Sequence, residues 1–387
     1  MQLQPKTDFA KSPFFLIAPF FFLATAMVVM KYIIPNTTPL FLAAFRLVPA
    51  GILVLMAAAL LKLPQPKTWQ AWAWIALFAL VDGAMFQGLL TTGLVNTGAG
   101  IGAVLIDAQP LVVAVLCRFL FADLIGGWGW LGLLIGVMGI SFCGLPGAWI
   151  YGGLQNIGIP LPFADRLYDG AELTLVPEPL DLSALSLQDL LNSGEFLMLL
   201  AALSMSFGTI IVRYVKKYAD PLVATGWHML LGGIPLVVLS TMFETNQITH
   251  LQVGDWAGLA YATVFGTAVT YGMFFYLAAT GNVTSISALI FLTPAFALLF
   301  SNVWLGETLS ELQWFGVALT LVSVYLVNQR QEIGNWFANF ADRMSAEAIE
   351  ITQPDILEPA ITAIEPASEP LNAAITDGQK ADQVSVE

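Results

Sequence analysis

Charge is scarce in this 387-residue chain: Asp, Glu, Lys and Arg together make 11% of it, against about 25% in a typical soluble domain. That scarcity, with 57% hydrophobic residues and a mean hydropathy of +0.77, excludes a soluble globular protein. So apolar a chain must bury its surface in lipid. Cysteine is equally thin. Cys117 and Cys143 each fall inside an apolar stretch, where a thiol acts as a small packing group, so neither a disulfide nor a metal pair is expected. There is no GxxxxGKS/T loop, which excludes ATP-driven pumping by this chain alone, and no HExxH or GxSxG. "GAGIGA" at 98–103 matches a dinucleotide fingerprint in letters only, because it opens an apolar span with no strand before it. No cofactor and no metal is called for.

What the chain has instead is a succession of apolar stretches, each of a length that crosses a hydrocarbon core of about 30 Å as a helix. Ten are placed, at 14–34, 39–61, 69–90, 98–120, 127–148, 195–214, 222–243, 255–278, 283–305 and 311–329. The first begins like a secretory signal ("KSPFFLIAPFFFLATA") but runs on through "MVVMKYII", which makes it long enough to span. Basic residues set the orientation. With the N-terminus inside, the inner side collects Lys6, Lys11, Lys62, Lys67, Arg118, Arg213, Lys216, Lys217, Arg330 and Arg343, and the outer side only Lys31 and Arg166. Both termini are therefore expected in the cytoplasm, in a multi-pass protein of the plasma (inner) membrane.

The net charge of −13 belongs to the edges of the molecule. Acidic residues gather beyond Gln331 and between Gly147 and Leu191, so the membrane part is close to neutral. An acidic tail speaks for solubility rather than for nucleic acid. The link at 151–193 reads as an external segment, and 331–387 as a cytoplasmic acidic tail. Beyond about residue 344 its Pro- and Glu-rich composition predicts disorder.

The chain also repeats itself. At an offset of 184 residues, "LIDAQP" (105–110) falls on "LIFLTP" (289–294), so Pro110 meets Pro294; Trp130 meets Trp314, and Gly132 meets Gly316. The same offset lays "QGLL" (87–90) on "YGMF" (271–274). An offset of 182 lays "PLFLAAFRLVPAGI" (39–52) on "PLVATGWHMLLGGI" (221–234), where Arg46 meets His228. Five spans per copy is odd, so the second copy must enter the bilayer upside down. Inverted repeats of this kind give secondary transporters two halves that rock around a midplane site.

The stretch "LTPAFALLFSNVWLGETLSELQWFGVALTLVSVYLV" (292–327) resembles the C-terminal signature of the EamA family, in the drug/metabolite transporter superfamily. The elements are a Pro in the ninth span, Gly306–Glu307, and the Gln313–Trp314 and Gly316 that follow. The resemblance covers both copies. It implies an all-α membrane carrier of small organic metabolites, with ten transmembrane helices in a 5+5 inverted repeat (12–150 and 194–330). The first copy has Ala122–Asp123 where the second has Gly–Glu, a weaker form of the motif.

An ionisable group near the bilayer centre costs at least about 3 kcal/mol when unpaired, so it faces a partner or a cavity. The spans hold few: Arg46, Asp82, Asp107 and His228, with Glu307 at a helix end. At about 1.5 Å per residue, Arg46, Asp82 and Asp107 fall at one depth. That predicts mutual neutralisation, either as a substrate or proton site or as a structural pin between helices. Pro110 and Pro294 are expected to interrupt the helix ladder near that level and free carbonyls to line a cavity. Tyr271, Trp227 and His228 would furnish the other half of the site. Asn96, Thr97, Thr284, Ser285 and Ser287 stand at the starts of spans 4 and 9, where free amides can meet anions. Gly129, Gly132, Gly136 and Gly139 give span 5 a glycine face for close packing within the subunit or in a homodimer. The favoured function is a secondary exporter or exchanger of small metabolites, with proton coupling through the buried carboxylates. The alternative is a membrane-embedded enzyme or receptor using Asp82 and Asp107 as paired carboxylates.

Overall fold

The computed structural model describes residues 13–121, 126–144, 150, 191–273 and 292–352, and every regular element among them is helical. In chain order these are α1 (Pro13–Ile33), α2 (Pro39–Leu60), α3 (Trp69–Phe78), a π-helical stretch π1 (Ala79–Phe86), α4 (Gln87–Asn96), α5 (Ala99–Ile106), α6 (Gln109–Phe121), α7 (Gly127–Gly144), α8 (Gly194–Val215), α9 (Pro221–Phe243), α10 (Val253–Thr263), π2 (Val264–Val269), α11 (Leu292–Leu305), α12 (Glu311–Asn328) and α13 (Arg330–Thr352). Six helices among the described residues are long and apolar enough to cross a bilayer: Ile17–Asn36, Pro39–Leu60, Trp69–Asn96, Ala99–Leu120, Gly194–Val215 and Pro221–Phe243. Shorter apolar helices stand at Gly127–Cys143 and Leu292–Leu305. The expected spans 255–278 and 283–305 run into residues 274–291, outside the described residues, as do Ala122–Asp123 and most of the link 151–193.

The helices pack mainly through small residues. The two most extensive contacts join α2 to α9 and α7 to α12. In the first, a Cβ on Gly51 would lie 2.8 Å from the Leu230 amide nitrogen and one on Gly226 2.7 Å from the Leu55 side chain, so both sites exclude any larger residue. In the second, the glycine face of span 5 is filled from within the chain: Gly132 meets Val327 and Leu326, and Gly139 meets Thr320 and Gly316. The other contacts interlock. α1 lies on α11, α10 and π2, while α8 lies on α4, π1, α5 and α6. A core of Met27, Val28, Ile33, Leu94, Val104, Met198 and Leu259 fills the space between them.

Backbone groups at several helix ends are tied by side chains from distant elements. Gly306 adopts φ +66°, a value that glycine takes without strain, and the turn sets the Glu307 carboxylate on the amides of Ala99 (2.8 Å) and Gly100 (3.2 Å) at the start of α5. Glu244 does the same for Leu40 and Phe41 at the start of α2, at 2.8 and 3.0 Å. Lys31 donates to the carbonyls of Leu94 (2.8 Å) and Val95 (3.0 Å) at the end of α4. Each places a charge where the helix dipole favours it.

Residues through Gly334 form one compact unit and those from Asn335 onward a second. Within the second, α13 continues to Thr352, past the point near 344 where composition predicted disorder. Trp336, Phe337, Phe340 and Met344 recur every three or four residues and stay exposed, the pattern of an amphipathic helix. The prolines that stop helices begin only at Pro354. Residues 353–387 lie outside the described residues.

Candidate substrate cavity

A cavity of about 180 Å³ lies among α1, α2, π1, α4, α5, α8, π2 and α11. Its wall is chiefly apolar, with Phe20, Leu23, Met27, Met30, Phe86 and Leu90 prominent, and it is punctuated by Arg46, Gln87, Asp107, Gln109, Thr267, Thr270, Tyr271 and Thr293. Apolar walls with a few convergent polar groups are the usual make-up of a small-molecule site.

Local backbone irregularities put those polar groups there. Between α5 and α6 the chain makes a turn at Asp107–Ala108, two residues before Pro110, which has no N–H to extend the ladder. Asp107 caps α5, its own N–H still bonded to the Ala103 carbonyl, and its side chain turns to the cavity. Its Oδ2 is buried without a hydrogen-bond partner. Arg46, buried on α2, donates through Nη2 to Gln87 Oε1, while its Nε has no partner. A buried cation donor and a buried carboxylate acceptor therefore stand in one small cavity with hydrogen-bonding capacity left over. Such groups are costly to leave unmet.

Three of the six anticipated binding residues, Arg46, Asp107 and Tyr271, line this cavity. The other three do not. Asp82 turns away to His228, with Nε2 and Oδ2 3.3 Å apart, and no ion pair joins Arg46 to either aspartate among the described residues. The expected three-way neutralisation at one depth is therefore not the arrangement found. Depth along the membrane normal says nothing about which way a side chain faces, and Asp82 sits in π1, whose i→i+5 bonding resets the facing of the helix. With Asp82 engaged by His228 and absent from the wall that Asp107 lines, the two carboxylates do not share one cavity as the enzyme alternative expects. Trp227 donates to Gln65 Oε1 at 2.9 Å and stands edge-on to Trp72, outside the cavity.

The prolines mark the cavity through their neighbours. Pro110 and Pro294 are not in the wall, whereas the residues just before them, Gln109 and Thr293, are. The amides at the start of span 4, anticipated as an anion site, are already taken by Glu307. Asn96 there donates to the Asn192 carbonyl at 3.0 Å, and Thr97 Oγ1 is buried without a partner. Thr284, Ser285 and Ser287 lie outside the described residues. Gln87, Gln109, Thr267, Thr270 and Thr293 carry no charge, and composition does not separate them from polar residues that simply pack. The repeat was the signal that could have found them: Gln87 and Tyr271 are equivalent at the 184 offset, and so are Gln109 and Thr293.

Comparison with known proteins bears on the repeat. The model of the EamA-like transporter family matches this chain twice, over residues 10–145 and 192–329. The chain belongs to the EamA-like transporter family. The two EamA matches begin 182 residues apart and end 184 apart, in step with the offsets in the sequence. The chain is 51% identical over 334 residues to the uncharacterized transporter sll0355 of Synechocystis, covering 86% of this chain and 94% of that one. It is 45% identical over 317 residues to a chloroplastic WAT1-related protein of Arabidopsis thaliana, At3g02690, covering 81% and 68%. An uncharacterized inner membrane transporter of Escherichia coli, YedA, is 25% identical over 305 residues, 77% of this chain and 84% of that one. A solved crystal structure, 13% identical and with a TM-score of 0.50, matches 82% of this chain and 98% of its own, a likeness of fold alone. The family, sll0355 and YedA are named as transporters rather than enzymes, and this chain is an integral membrane transporter.

Proposed function

We propose that this EamA member is a secondary carrier that moves small organic metabolites by alternating access, as an exporter or exchanger, through the cavity holding Arg46 and Asp107. The observation that carries the reading is the make-up of the wall. Gln87 faces the cavity with its repeat equivalent Tyr271, and Gln109 with its equivalent Thr293, so each copy contributes the same registers to one shared space. The helix contacts support a pseudo-twofold arrangement of ten spans as 5+5. α2 pairs with its equivalent α9 and α7 with α12, and the α1–α11 contact is matched by α8 on α5 and α6. Inverted repeats of this type place their site at the midplane between the copies. With both termini cytoplasmic, the Glu307, Glu244 and Lys31 caps all fall on the extracytoplasmic side. A solute suited to this cavity brings an acceptor for Arg46 Nε and a donor for Asp107 Oδ2 on a compact apolar body.

The test is transport by the full chain in proteoliposomes, screened with radiolabelled small metabolites. The reading requires that solute crosses chemically unchanged and that Asp107→Asn lowers the initial rate by at least about tenfold, the loss of one charge-assisted contact, while the protein stays folded. Solute converted rather than moved, or full activity in Asp107→Asn, overturns it. Accessibility tags in the loops after α1 and α9 test the inverted arrangement, because both must report the same side of the bilayer.

A further inference from the structure

Outside the cavity one titratable cluster has no part in the reading above. His228 is 1% exposed and Asp82 6%, and the two meet where α9 crosses π1. His228 Nδ1 lies 2.6 Å from the Thr225 carbonyl oxygen. A carbonyl only accepts, so Nδ1 carries a hydrogen, and the ring is fixed further by Phe78 stacked on it at 4.1 Å. Nε2 is then the free end of the imidazole, 3.3 Å from Asp82 Oδ2. With one proton between them the pair is joined by a charge-assisted hydrogen bond. Without it, a lone pair on Nε2 faces a carboxylate, and the contact turns from attraction to repulsion.

The surroundings convert that change of sign into movement. A Cβ on Gly232 of α9 would lie 2.6 Å from the Gly83 Cα of π1, and one on Gly208 of α8 2.8 Å from the Asp82 Cβ. Backbones this close leave the side chains no slack, so relief comes from helix against helix. π1 is suited to yield. Its neighbour Ser204 on α8 already accommodates the Val81 carbonyl with a 2.7 Å hydrogen bond, and π segments gather where helices must re-register. α9 in turn packs along α2, the helix that carries Arg46 into the cavity.

The other charged and titratable groups on packed elements are few. α2 brings Arg46, and Tyr271 stands just beyond π2. α8 holds Glu195, Arg213 and Tyr214 only near its two ends, and α3 and α4 hold none. We infer that Asp82 and His228 form a one-proton switch: its loading sets the spacing of π1 and α9 and, through α2, the placement of Arg46. This rests on the carrier reading and makes the carrier proton-coupled.

The experiment places spin labels at Leu80 on π1 and Ile234 on α9, both exposed, in the full chain in lipid nanodiscs, and follows their distance through a pH titration. The expected result is a single-proton transition that moves the mean distance by about 1–2 Å, the size of a helix shift, and that is lost in both Asp82→Asn and His228→Gln. A distance indifferent to pH, or a transition that persists in either folded variant, overturns the switch. Solute flux measured separately on the same preparation keeps the two readings apart. Flux with a pH-insensitive distance sinks the switch alone, whereas a titrating distance without flux sinks the carrier alone.

Discussion

π1 and π2 occupy the same register in the two copies, since a shift of 184 residues lays 79–86 on 263–270, around Val264–Val269. What surrounds the two segments differs. In π2 the wide helix is satisfied from within: Thr267 Oγ1 donates to the Ala262 carbonyl at 2.9 Å and Thr270 Oγ1 to that of Phe265 at 2.7 Å, both five residues back. In π1 the help comes from another helix, through Ser204, and the segment carries a carboxylate, Asp82, where π2 has Gly266. One backbone device thus serves two purposes. The second copy uses it to aim threonines and Tyr271 at the cavity, and the first uses it to hold an ionisable side chain against α9. The two copies share this backbone register, and their side chains diverge within it.

The comparison breaks hardest at its glycines. Gly232→Val would drive a side chain into the backbone of Gly83 and the Ala79 carbonyl. Overpacking of this kind costs about 1–3 kcal/mol even where side chains give way, and here backbone would have to move. The expected result is loss of monodisperse protein on size-exclusion chromatography. In π2 the clash is with a side chain, because a Cβ on Gly266 would run into the methyl of Ala26, with backbone only at ordinary contact distance; Gly266→Ala should be rescued by Ala26→Gly. Next in size is Asp107→Asn, expected to cut initial transport rates at least about tenfold with an unchanged melting curve. Asn at this position keeps the shape and the turn but not the charge. Ser204→Ala leaves the Val81 carbonyl without its partner and should lower stability by about 1 kcal/mol, read as a fall in the thermal unfolding midpoint. The smallest effect is expected at Thr267→Val in π2, about 0.5 kcal/mol, the low end for a hydrogen bond, because that bond closes within one helix. Equal losses for Ser204→Ala and Thr267→Val would erase the distinction between the two segments.

How far the sequence was legible follows the same line. Spans that run as one unbroken helix, such as 39–61 and 222–243, are legible from length and apolarity and match α2 and α9 to within a few residues. Arg46 and Asp107 stood out because charge in an apolar run is rare. The pairing of Asp82 with His228 did not, since a π segment has no composition of its own and leaves the hydropathy trace unchanged. Gln87, Gln109 and Thr293 are neutral, and only their position beside the repeated Pro and Gly landmarks distinguishes them. The helix through Thr352 was hidden for another reason: a window that averages 344–387 mixes its apolar stripe with the Pro- and Glu-rich sequence that follows.

The carboxylates of Glu307 and Glu244 come from the second half of the polypeptide, yet they finish helices that begin in the first. A gene cut within the 151–193 segment would therefore encode two fragments, the first of which lacks helix-end ligands held by its sibling. Produced singly they should be degraded; produced together they should reassociate and copurify, much as two gloves are of use only when worn as a pair.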